Sequence, residues 1–347
     1  MRRRLVFAAS VLFSIVSTAV LAASQTYTTL DPPGSSYAVV YAVSANGTIA
    51  GYCGLPGSNL RAESFVIDPT GNYTFYSIPY GYSTDVFAVN NFGSTTGTYS
   101  VNLRGRLHEY ARDAKGKIEY LDPPKSTYAE GQFAGINNLD QVTGDFADNA
   151  GTHGFVAALF GPLTLFDVPG AAETFGGVIN DAGVSAGIYY PPPTLHPTHS
   201  YVRDQFGNIT AFDPPDSVQG TYAEGINTSG QISGIYVDAN YGYHGFIRAV
   251  DGTFTIIDVP GAGTGEFQGT TSAAINDAGQ VAGTYYDSNY LPHGFLRDQF
   301  GNFTTFEEPN AGTGLDQGTL VYGLSNTGVI VGYYYDSKSN LHAFKRQ

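Results

Sequence analysis

The stretch Ile275-Asn276-Asp277-Ala278-Gly279-Gln280-Val281-Ala282-Gly283-Thr284-Tyr285-Tyr286 decides the fold. Apolar and β-branched residues flank Asn276-Asp277-Ala278-Gly279, which reads as a type I turn followed by a left-handed residue, where glycine avoids a Cβ clash. That is a tight β-hairpin. Its core returns along the chain as Gly47-Thr-Ile-Ala-Gly51, Gly93-Ser-Thr-Thr-Gly97, Asp140-Gln-Val-Thr-Gly144, Gly183-Val-Ser-Ala-Gly187, Gly230-Gln-Ile-Ser-Gly234 and Gly328-Val-Ile-Val-Gly332. The final glycines stand 43 to 49 residues apart, a period that marks an array of similar supersecondary units.

Each unit carries further marks. Ile-Asn or Val-Asn lies upstream, as at Ile136-Asn137, Ile179-Asn180, Ile226-Asn227 and Ile275-Asn276. Downstream comes a His-small-aromatic triplet, as in His153-Gly154-Phe155, His244-Gly245-Phe246, His293-Gly294-Phe295 and His342-Ala343-Phe344, and the unit closes on an acid and a proline, as in Asp258-Val259-Pro260. In the sixth unit, turn residues bound four short strands at 270–275, 280–286, 294–297 and 302–306. Four antiparallel strands repeated at this period describe the blade of a β-propeller. The seventh unit stops after its third strand, while Tyr27-Thr28-Thr29-Leu30-Asp31-Pro32-Pro33 matches 303–309 of the sixth unit position by position. The expectation is an all-β, seven-bladed propeller of four-stranded antiparallel blades, closed by the N-terminal strand pairing with the last blade.

The His-Ala-Phe at 342–344 and its variants, with the Ile-Asn-x-x-Gly-x-x-x-Gly element, resemble the bacterial extracellular HAF-repeat family. The likeness spans nearly the whole chain after residue 23. It implies secretion and a repeat architecture, and brings no defined activity. The first unit departs, with Glu63-Ser64-Phe65 in place of the triplet, and the second has Tyr110 for Phe.

Composition agrees with blades buried on both faces: charged residues make up only 13%, and 44 glycines with 18 prolines would break most helices. Arg2-Arg3-Arg4, an apolar run from Leu5 to Leu21 and Ala22-Ala23-Ser24 follow the order of a secretory signal, so residues 1–23 are expected to leave and 24–347 to form one domain. Arg2-Arg3 also matches a twin-arginine signal, and both export routes stay open. Removing the signal leaves 13 Lys and Arg against 30 Asp and Glu, a net charge of −17. Nucleic acid is an unfavourable partner for such a surface, and no second apolar span follows the signal, so a released monomer is expected.

Cys53 is the sole cysteine, so no internal disulfide can form. It stands where other units carry Tyr99, Phe146, Tyr189, Tyr236, Tyr285 and Tyr334, which favours a packed, inert thiol over a nucleophile. The six repeated histidines cannot converge on one metal in a ring; each is read as bonding a backbone group. Asp148, Asp238, Asp287 and Asp336 open the connection between strands two and three, where they can hold the turn or, as a sharper alternative, bind calcium. No other cofactor is indicated.

Function is expected on the face bearing the longer loops. Gln219, Thr221, Tyr222, Gln268, Thr270, Tyr286, Tyr290, Gln317, Thr319 and Tyr335 form a recurring polar and aromatic set suited to a glycan or protein ligand. Asp85, Glu130, Glu173 and Glu266 are acids on that face, and Glu224 lies within a first strand beside the central channel. Glu130 and Glu224 are the candidates for acid/base work in a carbohydrate-active lyase or hydrolase. The reading is a binding or scaffold propeller, with that enzyme as the alternative.

Overall fold

The computed structural model describes residues 25–55, 62–102, 105–122, 134–193, 196–315 and 317–347. The described residues form strands joined by turns, with no helix. After β1 (Tyr27–Thr29), β2 (Ala38–Val43), β3 (Ile49–Gly54), β4 (Ala62–Ile67) and β5 (Tyr73–Tyr76) make one antiparallel sheet. The next comprises β6 (Ser83–Val89), β7 (Thr95–Ser100), β8 (Leu107–Arg112) and β9 (Ile118–Tyr120). Then come β10 (Gly135–Ile136), β11 (Gln141–Ala147), β12 (Thr152–Ala158) and β13 (Leu163–Phe166), followed by β14 (Glu173–Ile179), β15 (Ser185–Tyr190), β16 (His199–Arg203) and β17 (Ile209–Phe212). Two further sets are β18 (Gly220–Ile226), β19 (Ile232–Val237), β20 (Tyr243–Arg248) and β21 (Phe254–Ile257), and β22 (Gly269–Ile275), β23 (Val281–Tyr286), β24 (Pro292–Arg297) and β25 (Phe303–Phe306). The chain ends with β26 (Gly318–Leu324), β27 (Ile330–Tyr335) and β28 (Leu341–Arg346).

The sixth unit therefore has its four strands within two residues of the sequence expectation, and Gly279 sits at φ +75° as the hairpin requires. One departure is that β20 and β22 share a parallel bridge, Tyr243 to Gly269, which merges two four-stranded sets into one sheet. The start of each third strand lies beside the entry of the next first strand, so a single rung can form there; Thr198 and Gly220 make the same bridge.

β1 pairs antiparallel with β28, setting Tyr27 opposite Arg346 and Thr29 opposite Phe344. Leu30 is buried just beyond the pairing, in a cluster with Val40, Ile49, Phe65, Val331 and Ala343 that joins the first sheet to the last. Elsewhere, too, apolar clusters fill the space between successive sheets, as with Ala282, Phe306, Val321, Ile330 and Phe344. Cys53 is buried in the first of these clusters, and burial pushes its thiol up to about 11. Arginines of third strands lie over aromatic rings of the preceding sheet, Arg112 4.6 Å from the Tyr76 centroid and Arg346 4.3 Å from that of Phe306.

The repeated glycine and the repeated aromatic are two halves of one packing device. Gly234 pairs with Phe246 across β19 and β20. A Cβ on Gly234 would overlap the Tyr222 carbonyl oxygen and come within 2.7 Å of Phe246 Cζ. Only glycine lets the fully buried ring lie across the strand. The repeated asparagine is a rivet between units: its Nδ2 donates to the backbone of the next unit from Asn90 to Asn137 O (3.0 Å), Asn137 to Asn180 O (2.9 Å), Asn180 to Asn227 O (3.0 Å), Asn227 to Asn276 O (3.2 Å) and Asn276 to Ser325 O (3.3 Å). Asn326 N then donates to Ala45 O at 3.2 Å, linking the last unit to the first. Residues from all these hairpins line a common cavity of about 200 Å³.

Candidate functional site

The first strand of each unit stands innermost. β2 packs beside β6 and β26, β14 beside β10 and β18, and β22 beside β18 and β26. In most of these strands the register slips by one residue, between Val40 and Ala42, Val86 and Ala88, Ala223 and Gly225, and Val321 and Gly323. Such a β-bulge re-aims a side chain. Among the residues it displaces are Tyr41, Phe87, Glu224 and Tyr322.

Three of the four meet. The Tyr41 ring lies 4.9 Å from Tyr322 at 79° and 5.7 Å from Phe87, so it contacts the inner strands on both sides. It also lies 5.8 Å from Tyr52 and, at 85°, 6.4 Å from Tyr333. Tyr322 and Tyr333 stack at 5.3 Å, with their hydroxyls 3.2 Å apart. Tyr37 and Tyr335 extend the group from Tyr52 and Tyr333. All of these rings are half-buried.

Two carboxyls share this wall. Burial raises Glu224 to about 8, against an ordinary glutamate value near 4.5, and its charge in turn acts on Tyr322. Burial raises Asp85 to about 6, opposed by the Ser83 hydroxyl, which donates to it at 3.4 Å. The Asp85 charge adds to the burial that raises Tyr37, Tyr41 and Tyr52. The described inner strands contain Asp85, Glu173 and Glu224 but no Lys, Arg or His.

Glu130 lies outside the described residues. The other candidates fall into two groups. Thr221, Thr270 and Thr319 are buried and hold the strand entry: Thr221 Oγ1 donates to Asp213 at 2.6 Å, Thr270 Oγ1 accepts from Val259 N at 2.8 Å, and Thr319 Oγ1 accepts from Glu308 N at 3.0 Å. Gln268 and Gln317 each accept a loop amide, from Gly265 and Gly314 at 2.9 Å, and Gln219 N donates to Val237 O. Tyr222, Tyr286 and Tyr335 stay half-buried on or beside the inner strands, and Tyr290 is exposed on the turn after β23 at φ +63°.

The repeated histidines differ from expectation. Their Nδ1 atoms face a side-chain carboxylate, not a backbone group: His108 to Asp122 at 2.7 Å, His153 to Asp167 at 2.8 Å, His199 to Asp213 at 2.7 Å, His244 to Asp258 at 2.8 Å, and His293 to Glu307. His342 finds its acid at Asp31, 2.5 Å away and across the β1–β28 seam. The acid stands fourteen residues downstream in every internal case, and this constant spacing is the signal that could have found it. Each ring also lies near the preceding aromatic, as Tyr236 stacks on His244 at 4.9 Å.

Asp148, Asp238, Asp287 and Asp336 hold their turns as Asx residues, Asp336 Oδ1 accepting from Lys338 N and Asn340 N at 2.8 Å. Their carboxylates also face His Nε2, from 3.3 Å at Asp148 to 3.7 Å at Asp238. Among the described residues, no group of three His, Cys, Asp or Glu has metal-holding geometry.

These groups set a pH dependence. The carboxylates of Asp258 and Glu307 raise His244 and His293, so their contribution is complete below the unfolded value near 6.5 and is lost as pH rises through the higher folded values. Glu224 has the same sign, its contribution complete below the ordinary value near 4.5 and lost progressively as pH rises to about 8. In acid the turn aspartates act oppositely: amides of Asn340 hold Asp336 down to about 2, so its contribution fades below pH 4. The melting temperature is expected to peak near pH 4 and fall from there toward pH 9. Glu224→Gln should flatten the alkaline limb; a melting temperature that rises from pH 6 to 9 would refute the assignment.

No protein-family model and no curated protein matches the sequence. Among solved structures, the fold is similar to the β-propeller domain of the Trilobed protease from Pyrococcus furiosus, at 10% identity over 90% of this chain and 94% of that one, with a TM-score of 0.60. It is also similar to a streptogramin B lyase, at 11% identity over 93% and 98% with a TM-score of 0.57. Virginiamycin B lyase from Staphylococcus aureus gives 12% identity over 92% and 98%, with a TM-score of 0.56. At such identity the likeness defines the fold class: this chain is a β-propeller.

Proposed function

We propose that the chain is a secreted, closed seven-bladed propeller that binds a glycan or protein ligand through the loop-face mouth of its axial channel. The β1–β28 rung and the placement of β26 beside β2 support closure. The observation that carries the binding reading is the half-buried aromatic group around Tyr41, whose rings offer apolar faces and hydroxyls to whatever enters. Tyr222, Tyr286 and Tyr335 extend this surface.

Secretion and kinship with the HAF-repeat proteins rest on the sequence. On a glycan array and a panel of cell-surface proteins, the purified chain is expected to retain at least one ligand, and Tyr41→Ala with Tyr322→Ala to weaken it at least tenfold. Unchanged binding by a folded double variant would refute the site.

A second reading is lyase or hydrolase chemistry. Glu224, protonated near neutrality at about 8, is suited to give up a proton, and Asp85, at about 6, to accept one. Two of the similar propellers are lyases, which supports this reading by fold alone. If it holds, Glu224→Gln abolishes turnover of the bound ligand while leaving binding intact.

A further inference from the structure

Resting on the binding reading above, we infer that the ligand is a neutral polysaccharide, lying along the loop-face rim of the fifth and sixth units on the rings of Tyr241, Phe267 and Tyr290. These residues are 42%, 50% and 47% exposed, and all three hold left-handed backbone, at φ +62°, +58° and +63°. A bulky side chain is a rare and strained occupant of that region, which Gly, Asn and Asp tolerate. The turn itself does not require an aromatic, since Ser339 closes the equivalent turn of the seventh unit at φ +62°. Rings that are both strained and open to solvent do not serve the packed core.

The three stand on one continuous surface. Phe267 N donates to Tyr241 O at 2.8 Å, with the two ring centroids 5.9 Å apart. Gln268 Nε2 donates to Ser288 O at 3.1 Å, which ties the Phe267 loop to the turn carrying Tyr290. Phe267 also lies 6.3 Å from Tyr243, whose charge acts on Tyr286, so the rim continues toward the half-buried tyrosines of the inner strands.

The chemistry of this surface selects the ligand. Asp238-Ala239-Asn240-Tyr241 and Asp287-Ser288-Asn289-Tyr290 present the same amide and ring one unit apart, an arrangement that suits a ligand which itself repeats. The C–H face of a pyranose carries slight positive charge and stacks on the negative face of an aromatic ring, while its hydroxyls bond exposed groups such as Asn240, Asn289 and Glu266. Segments 213–220, 238–242, 258–268 and 287–291 contain acids but no Lys or Arg, so an acidic polysaccharide would meet like charge. A protein partner calls for a dry, contiguous centre, and here polar residues separate the two tyrosine turns.

The test is calorimetric titration of the full chain with cellohexaose, xylohexaose, mannohexaose and laminarihexaose, the disaccharide of each, and hexagalacturonate, beside the glycan array. At least one neutral hexamer is expected to bind, its disaccharide to bind roughly tenfold more weakly because it cannot bridge two units, and hexagalacturonate not to bind. Tyr241→Asn with Tyr290→Asn should weaken the hexamer about tenfold or more, while the melting temperature holds or rises as strain is relieved. Tyr241→Phe with Tyr290→Phe, which keeps both rings, should keep the affinity.

Full affinity in the Asn pair would overturn the inference, as would equal binding of hexamer and disaccharide. Loss of affinity together with a falling melting temperature would overturn it too, because the rings would then be structural. If the retained ligand is a protein or an acidic glycan, and Tyr41→Ala with Tyr322→Ala weakens it, the inference fails while the binding reading stands. If nothing binds on the array or in the titrations, the binding reading itself fails.

Discussion

Deletion of residues 26–33 is expected to cost roughly 5 kcal/mol, a large part of the stability of an ordinary domain. The segment contributes the outer strand of the last sheet, with Thr26 N to Gln347 O at 2.9 Å, Gln347 N to Thr26 O at 3.0 Å and Leu30 N to Ala343 O at 2.8 Å. Backbone bonds of this kind add about 1 kcal/mol each, net. Leu30 leaves a buried cluster, which costs about 2 kcal/mol more. The loss does not stop there, because His342 surrenders Asp31 and β28 is left with a bare edge open to other chains. Urea unfolding should show the midpoint falling sharply, and a synthetic peptide of residues 25–33 should restore part of it. A truncated chain that melts with the parent would mean that the seam is ornamental.

Gly234→Ala is expected to destabilise by roughly 3 kcal/mol or more, at the upper end of what overpacking costs, because one of the clashing atoms is backbone. The added methyl meets the Tyr222 carbonyl oxygen on one strand and the Phe246 ring on another. The ring can be trimmed and the carbonyl cannot. Adding Phe246→Leu should therefore return only part of the loss, and the double-mutant cycle in urea would measure that part. Full rescue would show that the ring alone imposes the glycine. An effect below 1 kcal/mol would show that the inner strand yields freely.

Most of the architecture was legible because each unit repeats the same physical solution. Gly279 marked a hairpin, the match of 27–33 to 303–309 marked the missing rung, and the paired glycine and aromatic marked strands two and three. The histidine partner was misread although the fourteen-residue spacing was visible, because a conserved spacing within one unit says which residues can meet only once the register is known. The aromatic residues of the inner strands escaped for a different reason. Tyr41, Phe87 and Tyr322 occupy equivalent places in three units, but Ala134 and Glu224 hold the same place in others, so no repeat announces them. Their contact joins residues nearly three hundred positions apart in sequence, and only the circuit of inner strands brings them together. Asp85 and Glu224 were found as acids, but burial, which moves both toward neutrality, is a property of the assembled wall.

The seam between β1 and β28 also determines how the molecule answers a mechanical load. Thr26 and Gln347 sit side by side at the same end of an antiparallel pair. Tension applied at those two points strains one hydrogen bond at a time, peeling the rungs in sequence instead of shearing them together. The last sheet thus yields first at this edge, at low force, and a tether attached there would release the outermost strand before any other sheet felt the pull.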